Sequence, residues 1–371
     1  MLDGIDTPAL LLDAEKLRRN CAQMRSRVLS QGVVLRPHVK TAKNVEVAQM
    51  ALDAPSGPIT VSTLREAEYF FDHGFRDILY AVGIVPHKVP RVAALTRRGA
   101  RVSVIVDSVE AAQGLVSESE KAGVRIPALI EIDSDGHRAG VEPESQRLHD
   151  VAEALGDHLL GVMTHAGDSY NCDGPAGIRE VAARERKATV SSALALRSRA
   201  HACPVVSVGS TPTATFADSF AGVTEVRTGV YMFQDLVMAG LGVCSLDDIA
   251  ISVLSSVIGH QEEKGWVLID AGWMALSRDR GTQRQKVDQG YGVVCDEQGR
   301  PLGDLIVTEV NQEHGIVARR DGGEVDFATF PIGSLVRVLP NHACATAAQH
   351  AEYHVLRDGK PVETWERFGG W

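Results

Sequence analysis

Residues 33–83 read VVLRPHVKTAKNVEVAQMALDAPSGPITVSTLREAEYFFDHGFRDILYAVG, and this stretch decides the fold. Three short apolar runs typical of buried β-strands alternate in it with two longer amphipathic segments typical of helices. The runs are Val33–Lys40, Ile59–Leu64 and Ile78–Gly83, and the segments are Asn44–Ala54 and Arg65–His73. Strands that alternate with helices in this way indicate a parallel sheet with right-handed crossovers.

The same alternation continues as far as residue 233. Five more apolar runs follow, with further helix-like segments between them. The runs are Val102–Asp107, Ala128–Asp133, Leu159–Ala166, Val205–Thr211 and Val226–Phe233, and the segments are Pro86–Arg98, Val109–Ala122, Ser145–Leu155 and Arg179–Ala202. Eight strand–helix units over about 200 residues match the size of a (β/α)8 barrel.

After residue 245 the pattern changes to strands with few helices between them. Turn pairs such as Asp321-Gly322 and Asp358-Gly359 join several of these strands, which predicts a mainly antiparallel β domain. The strand-like segments are Ile251–Gly259, Trp266–Ala271, Gly290–Cys295, Leu305–Val310, Ile316–Arg319, Leu335–Leu339 and Tyr353–Leu356.

One more strand-like segment, Thr7–Asp13, precedes the first helix, Ala14–Ser30. Because the barrel already has eight strands, we assign this segment to the β domain. The sequence therefore predicts an α/β chain with a barrel over residues 14–245. The β domain would comprise residues 1–13 and 246–371.

Bulk composition narrows the class of protein. The chain has 371 residues, of which 44% are hydrophobic and 23% charged, a profile of folded globular domains. Its net charge of −10, with no basic run, makes nucleic acid and anionic membranes poor candidates as partners. The first residues lack a signal-peptide pattern, and the six cysteines form no CxxC pair. We therefore expect free thiols and a cytoplasmic location.

In barrels of this kind, the chemistry gathers at the carboxyl ends of the strands. Lys40 ends the first strand, where partial desolvation would favour the neutral, nucleophilic amine. A lysine at a barrel rim can equally form an ordinary salt bridge, and position alone does not decide between the two.

The later strands also end in polar residues. Gly209-Ser210-Thr211 ends the seventh strand, with Pro212 at a plausible helix start, and predicts a phosphate site between strands seven and eight. The candidates beside the other strand ends are Arg138, His165, Tyr170, Arg227, Gly229 and Tyr231. Each has a purely structural alternative, such as a core histidine, an ion pair or a packed tyrosine.

Several motifs now match a known family. They are RPHVKTAK (36–43), GHRAG (136–140), THAGDSY (164–170), GST (209–211), EVRTGVYMF (225–233) and PNHACAT (340–346). Together they resemble the D-serine dehydratase and D-threonine aldolase group, which belongs with alanine racemase among pyridoxal 5′-phosphate (PLP) enzymes built from a barrel and a β domain. The resemblance covers nearly the whole chain, and RPHxKT and PNHxC are its most specific parts. Ala42 departs from the histidine that often follows KT in related sequences.

The resemblance implies roles for the candidate residues. Lys40 would carry PLP as a Schiff base, and Arg138 would hydrogen-bond the phenolic oxygen of the cofactor. His165 would pack against the pyridine ring with Tyr170 nearby, and Arg227 would face the pyridine nitrogen. The residues implied for the phosphate are Gly209, Ser210, Thr211, Gly229 and Tyr231.

His342 and Cys344 stand two residues apart in a segment that resembles the end of a β-strand, so their side chains would point the same way. Thiolate and imidazole together favour Zn2+, with Mn2+ or Co2+ as alternatives, and two protein ligands suit a catalytic ion with open positions. An HxC pair alone usually has no such meaning, and Cys344 could be a buried small hydrophobe. In the resemblance, HxC is typical of the dehydratases, whereas aldolases carry HxD.

The resemblance thus implies a dehydratase that removes water from a D-3-hydroxy amino acid such as D-serine or D-threo-3-hydroxyaspartate. Keto acid and ammonia would be the products, and relatives of this architecture work as homodimers. Two alternatives stay open, a retro-aldol lyase on a D-3-hydroxy amino acid and a non-catalytic PLP-binding protein. A separate β domain with an HxC pair argues against the last of these.

Overall fold

The computed structural model describes residue 2, residues 4–136 and residues 138–371. Across these residues, no helix combines the length and the apolar character that crossing a membrane requires. The chain divides into two compact units. The barrel unit comprises Ala22–Lys40, Ala48–Gly229 and Gly370–Trp371, and the β unit comprises the residues up to Cys21, Thr41–Val47 and Val230–Gly369.

The helices and strands have these bounds. The strands are β1 (Ala9–Asp13), β2 (Val34–Pro37), β3 (Pro58–Val61), β4 (Asp77–Gly83), β5 (Arg101–Val106), β6 (Ala128–Glu131), β7 (Leu159–Met163), β8 (Val205–Val208), β9 (Glu225–Thr228), β10 (Ile251–Gln261), β11 (Trp266–Ile269), β12 (Gly292–Cys295), β13 (Pro301–Val310), β14 (Gly315–Arg319), β15 (Leu335–Pro340), β16 (Glu352–Arg357) and β17 (Lys360–Glu366). The α-helices are α1 (Ala14–Leu29), α2 (Val45–Leu52), α3 (Leu64–Asp72), α4 (Val89–Arg97), α5 (Val109–Ala122), α6 (Gln146–Leu155), α7 (Pro175–Ser198), α8 (Thr211–Phe216), α9 (Leu236–Gly240), α10 (Trp273–Leu276) and α11 (Ala343–Ala347).

The barrel unit contains the predicted parallel barrel. Its sheet has the order β2-β9-β8-β7-β6-β5-β4-β3, and a parallel bridge between His38 and Thr60 joins the two end strands. Helices begin where the sequence places capping residues, as at α5, where the Ser108 side chain accepts from the amide of Ala111 and Gly123 ends the helix with a positive φ. The predicted (β/α)8 barrel is confirmed, with most strands ending two to five residues earlier than predicted.

The β unit contains a nine-stranded sheet. Its order is β11-β14-β13-β12-β15-β10-β1-β16-β17, and a further pairing of β10 with β11 closes it. Strand β1 runs antiparallel to β10 and parallel to β16, which confirms that Thr7–Asp13 contributes a strand outside the barrel. A buried cluster joins residues of this sheet to Leu236 and Ile249 outside its strands. The members from the sheet are Val293, Cys295, Ile306 and Leu339.

The last strand, β17, is absent from the sequence prediction. It pairs with β16 through the two-residue turn Asp358-Gly359, where φ is 48° and 71°. Positive φ at both positions is the mark of a type I′ hairpin, so the turn itself was predicted correctly. The strand escaped prediction because only Trp365 of Lys360–Glu366 is buried, and its pattern therefore lacks an apolar face.

Candidate active site

Lys40 lies in a turn after β2 and its side chain is exposed. The prediction that it is a partly desolvated strand residue is wrong, because the strand ends at Pro37. The backbone around it is nevertheless fixed, since the amide of Val39 donates to the carbonyl of Thr60 at 2.9 Å and both Val39 and Thr41 are fully buried. The lysine is therefore an accessible amine at a firmly anchored position.

The segment that follows Lys40 belongs to the β unit. Tyr353 Oη donates to the carbonyl oxygen of Ala42 at 2.6 Å, and the amide of Phe368 donates to that of Lys43 at 3.2 Å. Thr41 Oγ1 lies 3.1 Å from Cys344 Sγ. These contacts tie the stretch after the lysine to β16, to the chain beyond β17 and to the candidate metal pair.

His165, just after β7, is a neutral histidine with a defined tautomer. Its Nδ1 is 3.1 Å from the carbonyl oxygen of Gly209, which can only accept, so the proton is on Nδ1 and Nε2 is an acceptor. Burial lowers the pKa of His165 to about 3, the hydrogen bond to Gly209 opposes this, and the cations of Lys40, Arg227 and Arg138 lower it further. The ring centroid of Tyr170 lies 6.2 Å away. The predicted pair thus comes together.

Arg138 and His165 line the same pocket. The arginine is exposed, and its Nη2 lies 3.6 Å from Glu131 Oε1 at the end of β6. Gly140 shapes this loop, because a side chain there would start 2.5 Å from the amide nitrogen of Asp133. His137 of the GHRAG motif lies outside the described residues. The pocket is lined by Glu131, Ile132, Asp133, Ser134, Asp135, Arg138, Ala139 and His165.

The predicted phosphate loop starts α8. At Gly209, φ is 139° and a Cβ would lie 1.9 Å from the carbonyl oxygen of Arg227, so only glycine fits. Ser210 caps the helix through a reciprocal pair of hydrogen bonds with Thr213. Thr211 Oγ1 lies 2.5 Å from Thr228 Oγ1, which joins the loop to the end of β9, next to Gly229. A glycine in close approach, hydroxyls and a helix start fit a phosphate group.

Arg227 on β9 is buried inside the barrel. It donates hydrogen bonds to Ser207 Oγ and to the carbonyl oxygen of Thr164. Burial lowers the pKa of Arg227, and the carboxylates of Glu225, Glu185 and Glu131 oppose this. The guanidinium is therefore charged and fixed within the barrel unit. Tyr231, the last candidate for the phosphate, is fully buried in the β unit.

His342 and Cys344 converge, but not on a strand. Strand β15 ends at Pro340, His342 has an extended backbone, and Cys344 lies in the short helix α11. The predicted strand geometry is wrong because the chain turns into a helix directly after His342. A hydrogen bond nevertheless links the two side chains.

Asp279 fixes the orientation of His342. Its Oδ2 lies 2.6 Å from His342 Nδ1, which leaves Nε2 for a metal ion beside the Cys344 sulfur. Burial lowers the pKa of His342, but the hydrogen bonds to Asp279 and Cys344 raise it to about 11 overall, so a metal ion at Nε2 would have to displace the proton there. In the described part of the chain, no group of three or more His, Cys, Asp or Glu side chains is arranged to hold a metal. The candidate donors are therefore one nitrogen and one sulfur, and two protein ligands suit an ion with open positions.

Sequence reasoning missed three carboxylates that support these residues. Asp279 orients His342, and Asp235 accepts at 2.9 Å from the amide of Ala343, between the two candidate ligands. Glu185 accepts at 2.8 Å from the amide of Gly209. Each lies far along the chain from the motif that it supports, so no local pattern identifies it.

Two protein-family models together match most of the chain. The alanine racemase N-terminal domain family matches residues 12–236, and the putative serine dehydratase domain family matches residues 250–356. D-threo-3-hydroxyaspartate dehydratase of Delftia sp. (strain HT23) is 53% identical over 377 residues, which is 99% of this chain and 98% of that protein. The chain belongs to the D-serine dehydratase and D-threonine aldolase group of PLP-dependent lyases.

Other members of this group are also similar to this chain. D-serine dehydratase of Dictyostelium discoideum is 32% identical over 97% of this chain and 96% of its own. A solved structure of a D-threo-3-hydroxyaspartate dehydratase, a cysteine-to-alanine mutant in the metal-free form, has a TM-score of 0.97 and 52% identity, covering 100% of this chain and 99% of that chain. A companion structure, with a TM-score of 0.98 and 53% identity over 100% and 97% of the two chains, carries a histidine-to-alanine change two residues earlier.

Proposed function

We propose that this protein is a PLP- and divalent-metal-dependent dehydratase. It eliminates water from a D-3-hydroxy amino acid, D-threo-3-hydroxyaspartate or D-serine, and yields a keto acid and ammonia. The observation that carries the metal-dependent part is the pair of His342 and Cys344, which one carboxylate orients through His342 Nδ1. Two similar proteins are named as dehydratases, and one of them is 53% identical to this chain. They support dehydration as the reaction class.

PLP, when bound, withdraws electrons from the α-carbon of an amino acid and so makes its proton removable. Lys40 would hold the cofactor, and its amine would also be the base that accepts that proton. His165, Tyr170 and Arg138 would surround the ring, with His165 held in place by its bond to Gly209. Arg227 would face the pyridine nitrogen, and the phosphate would lie at Gly209, Ser210, Thr211, Gly229 and Tyr231.

The metal ion would be held by His342 Nε2 and Cys344 Sγ. Nitrogen and thiolate ligands favour Zn2+, and Mn2+ or Co2+ are the alternatives. Bound there, it would polarise the β-hydroxyl of the substrate, because hydroxide is a poor leaving group. The variants of the relative support this proposal, since they change a histidine and a cysteine with the same spacing and the cysteine variant is the metal-free form.

The proposal also covers the oligomeric state, the domain boundaries and the cellular location of the protein. We propose a homodimer with no nucleic-acid or membrane partner, in keeping with a net charge of −10. The proposed domains are the barrel over residues 14–245 and the β domain over residues 1–13 and 246–371. None of the six cysteines, all within the described residues, forms a disulfide, which suits a proposed location in the reducing cytoplasm.

The cofactor assignment is tested by borohydride. The purified protein should show the visible absorption of bound PLP, and reduction should fix the cofactor to Lys40 and to no other lysine. Lys40→Ala should lack the label, whereas Lys43→Ala, three residues away, should keep it. A label on Lys43 or a protein that binds no PLP would refute the assignment.

The reaction is tested with a substrate panel. D-Serine, D-threonine, D-threo-3-hydroxyaspartate and their L enantiomers are incubated with the enzyme, and keto acids and aldehydes are measured with and without a chelator. Keto acid from D substrates alone, lost with chelator, is expected. Aldehyde as the main product would instead identify a retro-aldol lyase.

A further inference from the structure

Glu185 lies in the middle of α7 and is 2% exposed. Taking a carboxylate out of water is costly unless donors surround it. Here its Oε1 accepts from the amide of Gly209 at 2.8 Å, and hydrogen bonds from the Thr213 hydroxyl and the Ala166 amide complete the set. Arg227 supplies the opposite charge nearby. The protein thus surrounds the carboxylate with donors and one nearby cation.

These three donors belong to the parts of the barrel that carry the proposed phosphate site. Gly209 and Thr213 lie on either side of Ser210 and Thr211, so both ends of the loop are bonded to one side chain. Thr213 Oγ1 also accepts from the amide of Ser210 at 3.1 Å. The same hydroxyl lies 3.0 Å from Ser210 Oγ and 3.4 Å from the Ser210 carbonyl oxygen, so it takes part both in the contact with Glu185 and in the helix cap.

The third donor connects the loop to the neighbouring strand. Ala166 follows His165 in the chain, and Ser169 Oγ donates to the Ala166 carbonyl oxygen at 2.7 Å. Ser169 Oγ also lies 2.8 Å from Ser210 Oγ. Glu185 therefore sets the spacing between the chain after β7 and the chain after β8.

We propose that Glu185 is a positioning residue, which holds the Gly209–Thr213 loop in the shape that receives the phosphate of PLP. The inference rests on the proposed function, because it takes the cofactor as PLP and this loop as its phosphate site. Glu185 itself makes no contact with the cofactor in this account. It acts through the amide of Gly209 and the hydroxyl of Thr213.

Glu185→Gln is the direct test. A glutamine amide presents a donor where the carboxylate only accepts, so at least one of the three protein donors loses its partner. The matched control is Glu180→Gln, the same change at an exposed position of the same helix. Dissociation constants for PLP and for pyridoxal, which lacks the phosphate, are measured by absorbance titration of the cofactor-free proteins.

Losing one charge-assisted hydrogen bond should raise the dissociation constant for PLP about tenfold in Glu185→Gln. The constant for pyridoxal should stay close to that of the unmodified protein, and Glu180→Gln should change neither. If Glu185→Gln does not fold, Thr213→Val removes one of the three donors and should weaken PLP binding selectively as well.

Two results would overturn the inference. One is unchanged PLP binding in a folded Glu185→Gln, and the other is an equal loss of PLP and pyridoxal, which a general structural role would give. If the unmodified protein binds no PLP at all, the proposed function fails instead, so the two failures are distinguishable.

Discussion

Thr41 Oγ1 lies 3.1 Å from Cys344 Sγ. Thr41 directly follows Lys40 in the chain, and consecutive Cα atoms are about 3.8 Å apart. The residue next to the proposed cofactor lysine is therefore in hydrogen-bond contact with a proposed metal ligand. Thr41 is also fully buried, whereas Cys344 is only partly buried.

Thr41→Val should weaken metal binding and spare the cofactor. The hydroxyl can donate to the thiolate of Cys344, and loss of a partner behind a metal ligand typically costs about 10-fold or more in affinity. Metal content is followed by titration with zinc, and bound PLP by its visible absorption. Thr41→Ser keeps the hydroxyl and should behave like the unmodified protein. Equal zinc affinity in the valine variant would show that the contact has no role in metal binding.

Asp279→Asn should also weaken metal binding, lowering the affinity about 10- to 100-fold. The carboxylate accepts from His342 Nδ1 at 2.6 Å and so fixes the tautomer that leaves Nε2 for the ion. Zinc affinity is measured by competition with a chromogenic chelator, with Asp321→Asn, an exposed change in the same unit, as the control. An Asp279→Asn protein that holds zinc as tightly as the control would contradict the proposed ligand set.

Cys344→Ala should keep bound PLP but lose most dehydratase activity. Without a Lewis acid on the hydroxyl, several kcal/mol of transition-state stabilisation are lost, which is about a thousandfold or more in rate. Exchange of the α-proton with deuterated solvent, followed by NMR, should be affected less than elimination. His342→Ala should give the same pattern. Full activity in a metal-free variant would exclude metal-assisted elimination.

Glu185 should make the stability of the cofactor-free protein depend on pH. Burial raises its pKa from 4.5 to about 6, although the bonds from Thr213, Gly209 and Ala166 and the charge of Arg227 lower it. Between pH 4.5 and about 6, the folded state thus binds more protons than the unfolded state. The contribution of Glu185 to the free energy of unfolding therefore falls as the pH rises through this range. The difference in pKa is worth about 2 kcal/mol.

Urea unfolding between pH 4.5 and 6.5 measures this effect. The stability of the unmodified protein relative to Glu185→Gln should decrease by roughly that amount as the pH rises, because glutamine does not titrate. Glu180→Gln should follow the unmodified protein throughout. Parallel pH profiles for the unmodified protein and Glu185→Gln would mean that the buried carboxyl does not titrate in this range.

The sequence predicted those strands, helices and turns that depend on residues close together in the chain. Strand and helix periods identified the barrel, and the same alternation placed His165 and Gly209 near the carboxyl ends of their strands. The turn Asp358-Gly359 was also predictable, because its residue types suit positive φ. Motifs at strand ends therefore carried most of the candidate site.

The sequence could not predict which residues far apart in the chain contact each other. Glu185 is one of two acidic residues in an Ala- and Arg-rich helix, and nothing near it indicates that Gly209 is its partner. The helix that holds Cys344 is only five residues long, too short for a helical period to appear beside the preceding strand. The exposure of Lys40 depends on where β2 ends, and strand ends are the least predictable feature of a sequence.

The products formed from D-threo-3-hydroxyaspartate test the central claim most directly. Elimination of water gives oxaloacetate and ammonia in equal amounts, whereas retro-aldol cleavage gives glyoxylate and glycine. We predict oxaloacetate and ammonia from the metal-loaded enzyme, with little of either after the metal is removed and recovery when zinc is restored. Glyoxylate and glycine as the main products, or oxaloacetate formation at an unchanged rate without metal, would contradict the account.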